Sequence, residues 1–145
     1  MFMGQYNHTI DAKGRVIIPA RFRDKLGETF VVTKGLDGCL YGYADSEWDA
    51  FGEKMKSLSM LNANNRKFIS FFLSGAAECE FDKQGRILLP SSLREYAGLT
   101  KDVVLVGSVS KIEIWDKERF EAFSSEFEGN IEAIAENMAG LGFSI

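Results

Sequence analysis

Asp11-Ala12-Lys13-Gly14-Arg15-Val16-Ile17-Ile18-Pro19-Ala20-Arg21-Phe22-Arg23-Asp24-Lys25-Leu26-Gly27 returns later in the chain as Asp82-Lys83-Gln84-Gly85-Arg86-Ile87-Leu88-Leu89-Pro90-Ser91-Ser92-Leu93-Arg94-Glu95-Tyr96-Ala97-Gly98. Each position meets the residue 71 further on, and six are identical: the Asp, both Gly, both Arg and the Pro. The register extends upstream, where Gly4 meets Gly75 and Ile10 meets Phe81. After one inserted residue Val31-Val32 matches Val103-Val104, Gly35 matches Gly107, Tyr43 matches Trp115, and Ala50-Phe51 matches Ala122-Phe123. Glycine, proline and aromatic positions do not keep step over such a length by chance, so the chain is a tandem duplication.

Each copy has a legible local structure. Tyr6 to Asp11 and Arg15 to Ile18 are short β-prone runs joined by Ala12-Lys13-Gly14. A three-residue hairpin loop commonly ends on a left-handed residue, which Gly14 and Gly85 supply without a Cβ clash. Pro19 and Pro90 stop the second strand and can begin a helical turn. Phe22 with Leu26, and Leu93 with Ala97, are four apart and predict the buried face of a short helix ended by Gly27 or Gly98. Two strands follow in each copy, Phe30 to Lys34 with Leu40 to Tyr43, and Val103 to Gly107 with Lys111 to Trp115; Gly35 to Gly38 is a turn. Trp48, Phe51, Met55, Leu58 and Leu61 predict a closing helix, with Ser46 as candidate N-cap. Phe120 to Met138 predict its counterpart, with Gly129-Asn130 as a candidate break, and a bridging helix is expected around Asn65 to Leu73. Half a small barrel cannot cover its own edges, so the two copies are expected to complete each other.

The 145 residues are 46% apolar and 26% charged, with 2 Pro and 14 Gly, which excludes a disordered or low-complexity chain. No run is long and apolar enough for a membrane span. Cys39 and Cys79 have no CxxC spacing and His8 is the single histidine, so a zinc site is out of reach and a disulfide framework is not expected. This reads as a reduced cytoplasmic protein. The net charge of −4 hides an uneven distribution: after Arg119 there are five Glu and no Lys or Arg, leaving +1 for Met1 to Arg119. Asp11 to Lys25 alone carries +3. Screening limits each charge to about 8–10 Å at physiological salt, so a basic surface on an acidic protein still binds phosphate.

The two Asp-x-x-Gly-Arg-(apolar)₃-Pro cores, with Met1-Phe2-x-Gly4 at the start, resemble the MraZ family of bacterial proteins over Met1 to about Phe123. The resemblance implies an α+β fold in which two tandem AbrB-like (SpoVT-AbrB) repeats make one pseudo-two-fold, swapped-hairpin β-barrel with flanking helices. Repeat 1 would occupy 4–51, a linking helical segment 52–74, repeat 2 75–123, and an acidic C-terminal helical segment 124–145. It also implies a homo-oligomeric ring, nucleoid association and sequence-specific control of transcription. The control is typically repression at direct repeats of double-stranded DNA upstream of the division and cell-wall gene cluster, the protein's own promoter included. Asp11 to Arg15 and Asp82 to Arg86 are the family's DNA-recognition elements. The copies differ, since Lys13 and Arg21 become Gln84 and Ser92 while Lys83 replaces Ala12.

Read mechanically, Arg15 and Arg86 follow the loop glycine and either reach outward, where arginine suits guanine or phosphate, or pair across the loop with Asp11 and Asp82. Both roles can coexist, the Asp orienting the Arg. Lys13, Lys83, Arg21 and Lys25 are phosphate-contact candidates or a solvated basic face. Arg23 and Arg94, retained in both copies, suit DNA contact or a structural ion pair. The Trp48, Phe51, Met55 stripe reads as core or subunit interface. No catalytic or cofactor motif is present, neither GxSxG, HExxH, GK[ST] nor a dinucleotide fingerprint, so no enzyme, metal or cofactor is expected. The rival to a DNA-binding regulator is a protein-interaction module such as an AbrB-fold antitoxin, disfavoured by the second complete repeat and the regular apolar spacing beyond it.

Overall fold

The computed structural model describes residues 1–145 as an α+β structure in which both copies fold alike. The first copy contains β1 (Gln5–Thr9), β2 (Arg15–Ile17), α1 (Ala20–Leu26), β3 (Thr29–Lys34), a 3-10 turn (Leu36–Gly38), β4 (Leu40–Ala44) and α2 (Asp45–Lys56). Helix α3 (Ala63–Ser74) leads to β5 (Ala77–Glu80), β6 (Arg86–Leu88), α4 (Ser91–Ala97), β7 (Asp102–Ser108), β8 (Lys111–Asp116) and α5 (Lys117–Gly140). Pro19 and Pro90 stand at the N-caps of α1 and α4, where the absent N–H is no loss. Phe22 and Leu26, Leu93 and Ala97 are the buried residues of those helices, as their four-residue spacing predicts.

Pairing, rather than local structure, joins the copies. A six-stranded antiparallel sheet runs β1-β7-β8-β4-β3-β5. Strand β1 leaves its own copy to pair with β7 (Gln5↔Val106 to Thr9↔Asp102), and β5 reciprocates on β3 (Thr29↔Glu80 to Val32↔Ala77). The copies also meet at the centre through β4 and β8, with Leu40 opposite Ile114. A separate two-stranded ribbon forms from β2 and β6, one strand from each copy. The strands therefore make two sheets rather than one closed hydrogen-bonded barrel, joined where the Asp11 N–H donates to the Arg15 carbonyl and the Asp82 N–H to the Arg86 carbonyl.

One core serves both copies. Val16, Ile18, Ile87 and Leu89 from the ribbon segments pack with Phe30, Val32, Leu40, Leu105, Ile112 and Ile114 of the large sheet, all fully or almost fully buried. A side chain of this size contributes about 1.5–3 kcal/mol on burial, so neither copy keeps its core without the other. On the other face Trp115 packs with Cys39, Val104 and Phe120, and its ring stacks on Phe123 of α5 at 4.8 Å. Phe51 stacks on Tyr43 and meets Phe72 of α3, and Met55 is buried, so the α2 stripe is packing within the chain. Burial pushes the Cys39 thiol up strongly and the Cys79 thiol up to about 11, leaving both as inert small hydrophobes. No helix is long and apolar enough to cross a membrane.

Three helix expectations need correction. Helix α2 begins at Asp45, with Ser46 inside its first turn; Ala44 is the N-cap, and Thr29 Oγ1 donates to Asp45 Oδ2 at 2.9 Å, tying the helix start to β3. The same helix stops at Lys56, because the Ser57 hydroxyl donates to the Lys54 carbonyl at 2.6 Å and the chain turns away; half-buried Leu58 and exposed Leu61 lie beyond it. Helix α5 runs unbroken through Gly129-Asn130, where Asn130 Nδ2 donates to the Glu126 carbonyl at 3.1 Å. One helical glycine costs only about 1 kcal/mol, too little to break a 24-residue helix capped by the Asp116 carboxylate. The bridging helix is present as α3, capped by the Asn62 side chain.

Candidate nucleic-acid interface

The loop between β1 and β2 is built by its aspartate. Asp11 N donates to the Arg15 carbonyl at 3.0 Å, and Gly14 N donates to the Asp11 carbonyl at 3.0 Å. Asp11 Oδ1 accepts from Lys13 N (3.0 Å) and Arg15 N (2.9 Å), while Oδ2 accepts from Arg15 Nε at 2.7 Å. The second loop repeats the design: Asp82 Oδ1 accepts from Gln84 N and Arg86 N, both at 2.9 Å, and Oδ2 accepts from Arg86 Nε at 2.7 Å. One carboxylate oxygen thus folds each loop and the other holds the guanidinium by Nε. The two Nη nitrogens, the fork that grips a phosphate or a guanine edge, make no hydrogen bond within the chain. Pairing across the loop and outward reach are therefore compatible.

The ribbon brings the two loops together. Its register sets Arg15 opposite Leu88, Val16 opposite Ile87 and Ile17 opposite Arg86. Successive side chains alternate faces, so Val16 and Ile87 enter the core while Arg15, Ile17, Arg86 and Leu88 share the outer face. Arg86 Nη1 comes within 4.0 Å of Asp11 Oδ2, linking the copies directly. The loop glycines are where the opposite copy presses. Gly14 sits at φ 88° and Gly85 at φ 77°. A Cβ on Gly14 would stand 2.6 Å from Arg94 Cζ, and one on Gly85 would overlap Arg23 Nη1. Leu89 N donates to the Gly14 carbonyl at 2.9 Å and Ile18 N to the Gly85 carbonyl at 3.1 Å, completing a reciprocal clasp.

The structure distributes the other basic candidates unevenly. Lys13 and Lys83 are exposed in the loops, and Arg21 is exposed on α1. Arg23 and Arg94 are half-buried behind the opposite copy's loop glycine, and neither has a carboxylate within 4.0 Å, so the ion-pair alternative has no partner. Arg94 Nε donates to the Leu89 carbonyl at 3.1 Å, whereas Arg23 Nε is buried without a partner. Lys25 Nζ donates to the Met1 carbonyl at 2.7 Å and lies over the Phe2 ring. Two features escape the sequence reading. Arg119 of α5 ties the copies by donating to the Gly38 and Tyr96 carbonyls, with no motif to flag it. Ile17 and Leu88 face outward; strict strand alternation through Val16-Ile17-Ile18 and Ile87-Leu88-Leu89 is the signal that could have found them.

Hydrogen bonding holds the Asp11 and Asp82 carboxyls below the ordinary value of 3.8, chiefly from the Arg15 and Arg86 backbone N–H groups, with desolvation opposing and the guanidinium adding to the downward shift. A depressed folded-state pKa stabilises the loops above the unfolded value, and that contribution is lost as pH falls through the lower folded value. An NMR pH titration is therefore expected to place both carboxyls below 3.8, with loop geometry constant through the neutral range; titration at or above 3.8 would show loops not held in this way.

An antiparallel ribbon of this kind fits the DNA major groove, about 12 Å wide, and its two fixed guanidiniums can form bidentate bonds with guanine O6 and N7 or with phosphate. Comparison with known proteins points the same way. A family model described as "MraZ protein, putative antitoxin-like" matches residues 1–71 and again 72–141. A protein of Lachnoclostridium phytofermentans named "Transcriptional regulator MraZ" is 56% identical over 144 residues, covering 99% of both chains. Proteins of the same name from Ligilactobacillus salivarius (54% identical, covering 95% of this chain and 96% of that one) and Pelotomaculum thermopropionicum (52% identical, covering all of both) are similarly alike.

Proposed function

The chain belongs to the MraZ family, a family of regulators rather than enzymes, and from that premise we propose that it is a DNA-binding repressor of transcription. It acts at direct repeats upstream of the division and cell-wall gene cluster, including its own promoter, and so associates with the nucleoid in the cytoplasm. The observation that carries the reading is the convergence of both Asp-x-x-Gly-Arg loops on one ribbon, each guanidinium fixed at Nε and neither fork hydrogen-bonded within the chain. Arg15 and Arg86 are the groove contacts, and Lys13, Lys83 and Arg21 bind phosphates. Arg23 and Arg94 add positive charge from behind the loops they brace. We read the exchange of β1 and β5 as a swapped-hairpin barrel in which one chain mimics an AbrB-type dimer, with repeats at 4–51 and 75–123 and helical segments at 52–74 and 124–145.

The exposed apolar side chains of α5, among them Ile131, Ile134 and Met138, support assembly of chains into a ring. One chain offers few phosphate contacts, and a ring engages neighbouring repeats by effective concentration. Each phosphate neutralised contributes about −0.9 to the slope of log K against log salt. Fluorescence anisotropy on the DNA upstream of the chain's own gene is expected to show binding that tightens with repeat number and collapses with added salt, and Lys13→Ala is expected to flatten the slope. Binding indifferent to salt would remove the basic loops from the interface. The same face of α5 also suits a partner protein, the antitoxin-type alternative. A stoichiometric partner on purification, with no DNA binding, would establish that alternative instead.

A further inference from the structure

Two apolar side chains stand between the arginines on the outer face of the ribbon. Ile17 lies opposite Arg86 and Leu88 opposite Arg15, so the four form one patch. Ile17 is 43% and Leu88 59% exposed, while Val16 and Ile87, their neighbours on the inner face, are each 1% exposed. A strand with one wet face alternates apolar inside with polar outside. Both copies break that rule at the same position. Strand propensity accounts for a β-branched Ile17 but not for Leu88. Single exposed apolar residues are ordinary on protein surfaces; a matched pair framed by two anchored guanidiniums is not.

Resting on the DNA-binding reading above, we infer that Ile17 and Leu88 are specificity residues that read thymine 5-methyl groups in the major groove. The methyl is the apolar feature that the groove presents, and an apolar side chain held beside it removes both from water. Cytosine carries only a hydrogen at C5, so the same side chain gains no such burial there and the pair discriminates thymine from cytosine. The arginines fix the depth of the ribbon, leaving Ile17 and Leu88 to touch what lies between their contacts. A second copy of this chain is a poor occupant, because two such faces would oppose arginine with arginine.

The test uses DNA upstream of the chain's own gene, amplified either with thymidine or with deoxyuridine triphosphate, and anisotropy at fixed salt. Wild-type protein is expected to bind the deoxyuridine duplex about fourfold more weakly for each methyl contacted. The Ile17→Ala, Leu88→Ala double variant should bind thymine DNA more weakly than wild type and bind the two duplexes equally. Equal wild-type binding to both duplexes overturns the inference, as does a double variant that keeps the full difference between them. A change in oligomeric size with unaltered DNA affinity overturns it too, assigning the patch to a subunit interface. If wild type binds neither duplex, the DNA-binding reading itself fails and takes this one with it.

Discussion

Arg15→Ala and Arg86→Ala combined in one chain are expected to weaken binding to promoter DNA roughly a thousandfold while leaving fold and assembly intact. A good bidentate arginine contact contributes about 1–3 kcal/mol, so at about 2 kcal/mol each loss is near thirtyfold and two together multiply. The fold should tolerate both changes, because the side chains lie on the outer face of the ribbon while Val16 and Ile87 keep its inner face in the core. Lys56→Ala is the control, removing a charge whose partner is Glu53 on α2. Anisotropy, with sedimentation to confirm oligomeric size, checks the prediction. Full affinity in the double variant would leave the arginines as loop ion pairs and nothing more.

Gly85→Ala and Gly14→Ala should each destabilise the protein by about 2–4 kcal/mol, the next largest effect expected. At φ 77° and 88° an alanine meets the left-handed penalty of about 1–2 kcal/mol. Its Cβ also overlaps the guanidinium of Arg23 or Arg94, reaching in from the other copy. For a chain of this size the melting temperature should fall by roughly 5–15 °C. Adding Arg23→Ala to Gly85→Ala removes the overlap but not the backbone penalty, so partial recovery is expected. No recovery would mean that the guanidinium is not what fills the space beside Gly85. Because these glycines hold the loops that carry Asp11 and Asp82, DNA affinity should fall in the surviving folded fraction as well.

The reach of the sequence is clearest at these same residues. The loop glycines, the prolines after β2 and β6 and the four-residue spacing on α1 and α4 are local signals, and the structure has each of them in place. The partners are not local. Alternation says which side of β1 is inward but not that it pairs with β7 in the other copy, and nothing in Arg23 or Arg94 announces a glycine across the pseudo-symmetry axis. Apolar spacing does not set helix limits where polar groups decide them: Asp45 is held by Thr29, Ser57 turns the chain before Leu58 and Leu61, and Gly129 is too weak a breaker inside a long capped helix. Of the proposed site, the duplicated motif marks Asp11, Arg15, Asp82 and Arg86. Strand alternation through the two apolar triplets marks Ile17 and Leu88 as the outward members, but only the register of β2 on β6 places them between the two arginines.

In the proposed complex both copies present their loops to DNA on one ribbon. The most direct test of this arrangement is ultraviolet crosslinking of the intact protein to promoter DNA carrying 5-iodouracil, with the attached peptides mapped by mass spectrometry. Crosslinks are expected in both segments, around Lys13 to Ile18 and around Lys83 to Leu89. Crosslinks confined to α2, α3 or α5, or to one copy alone, would contradict it.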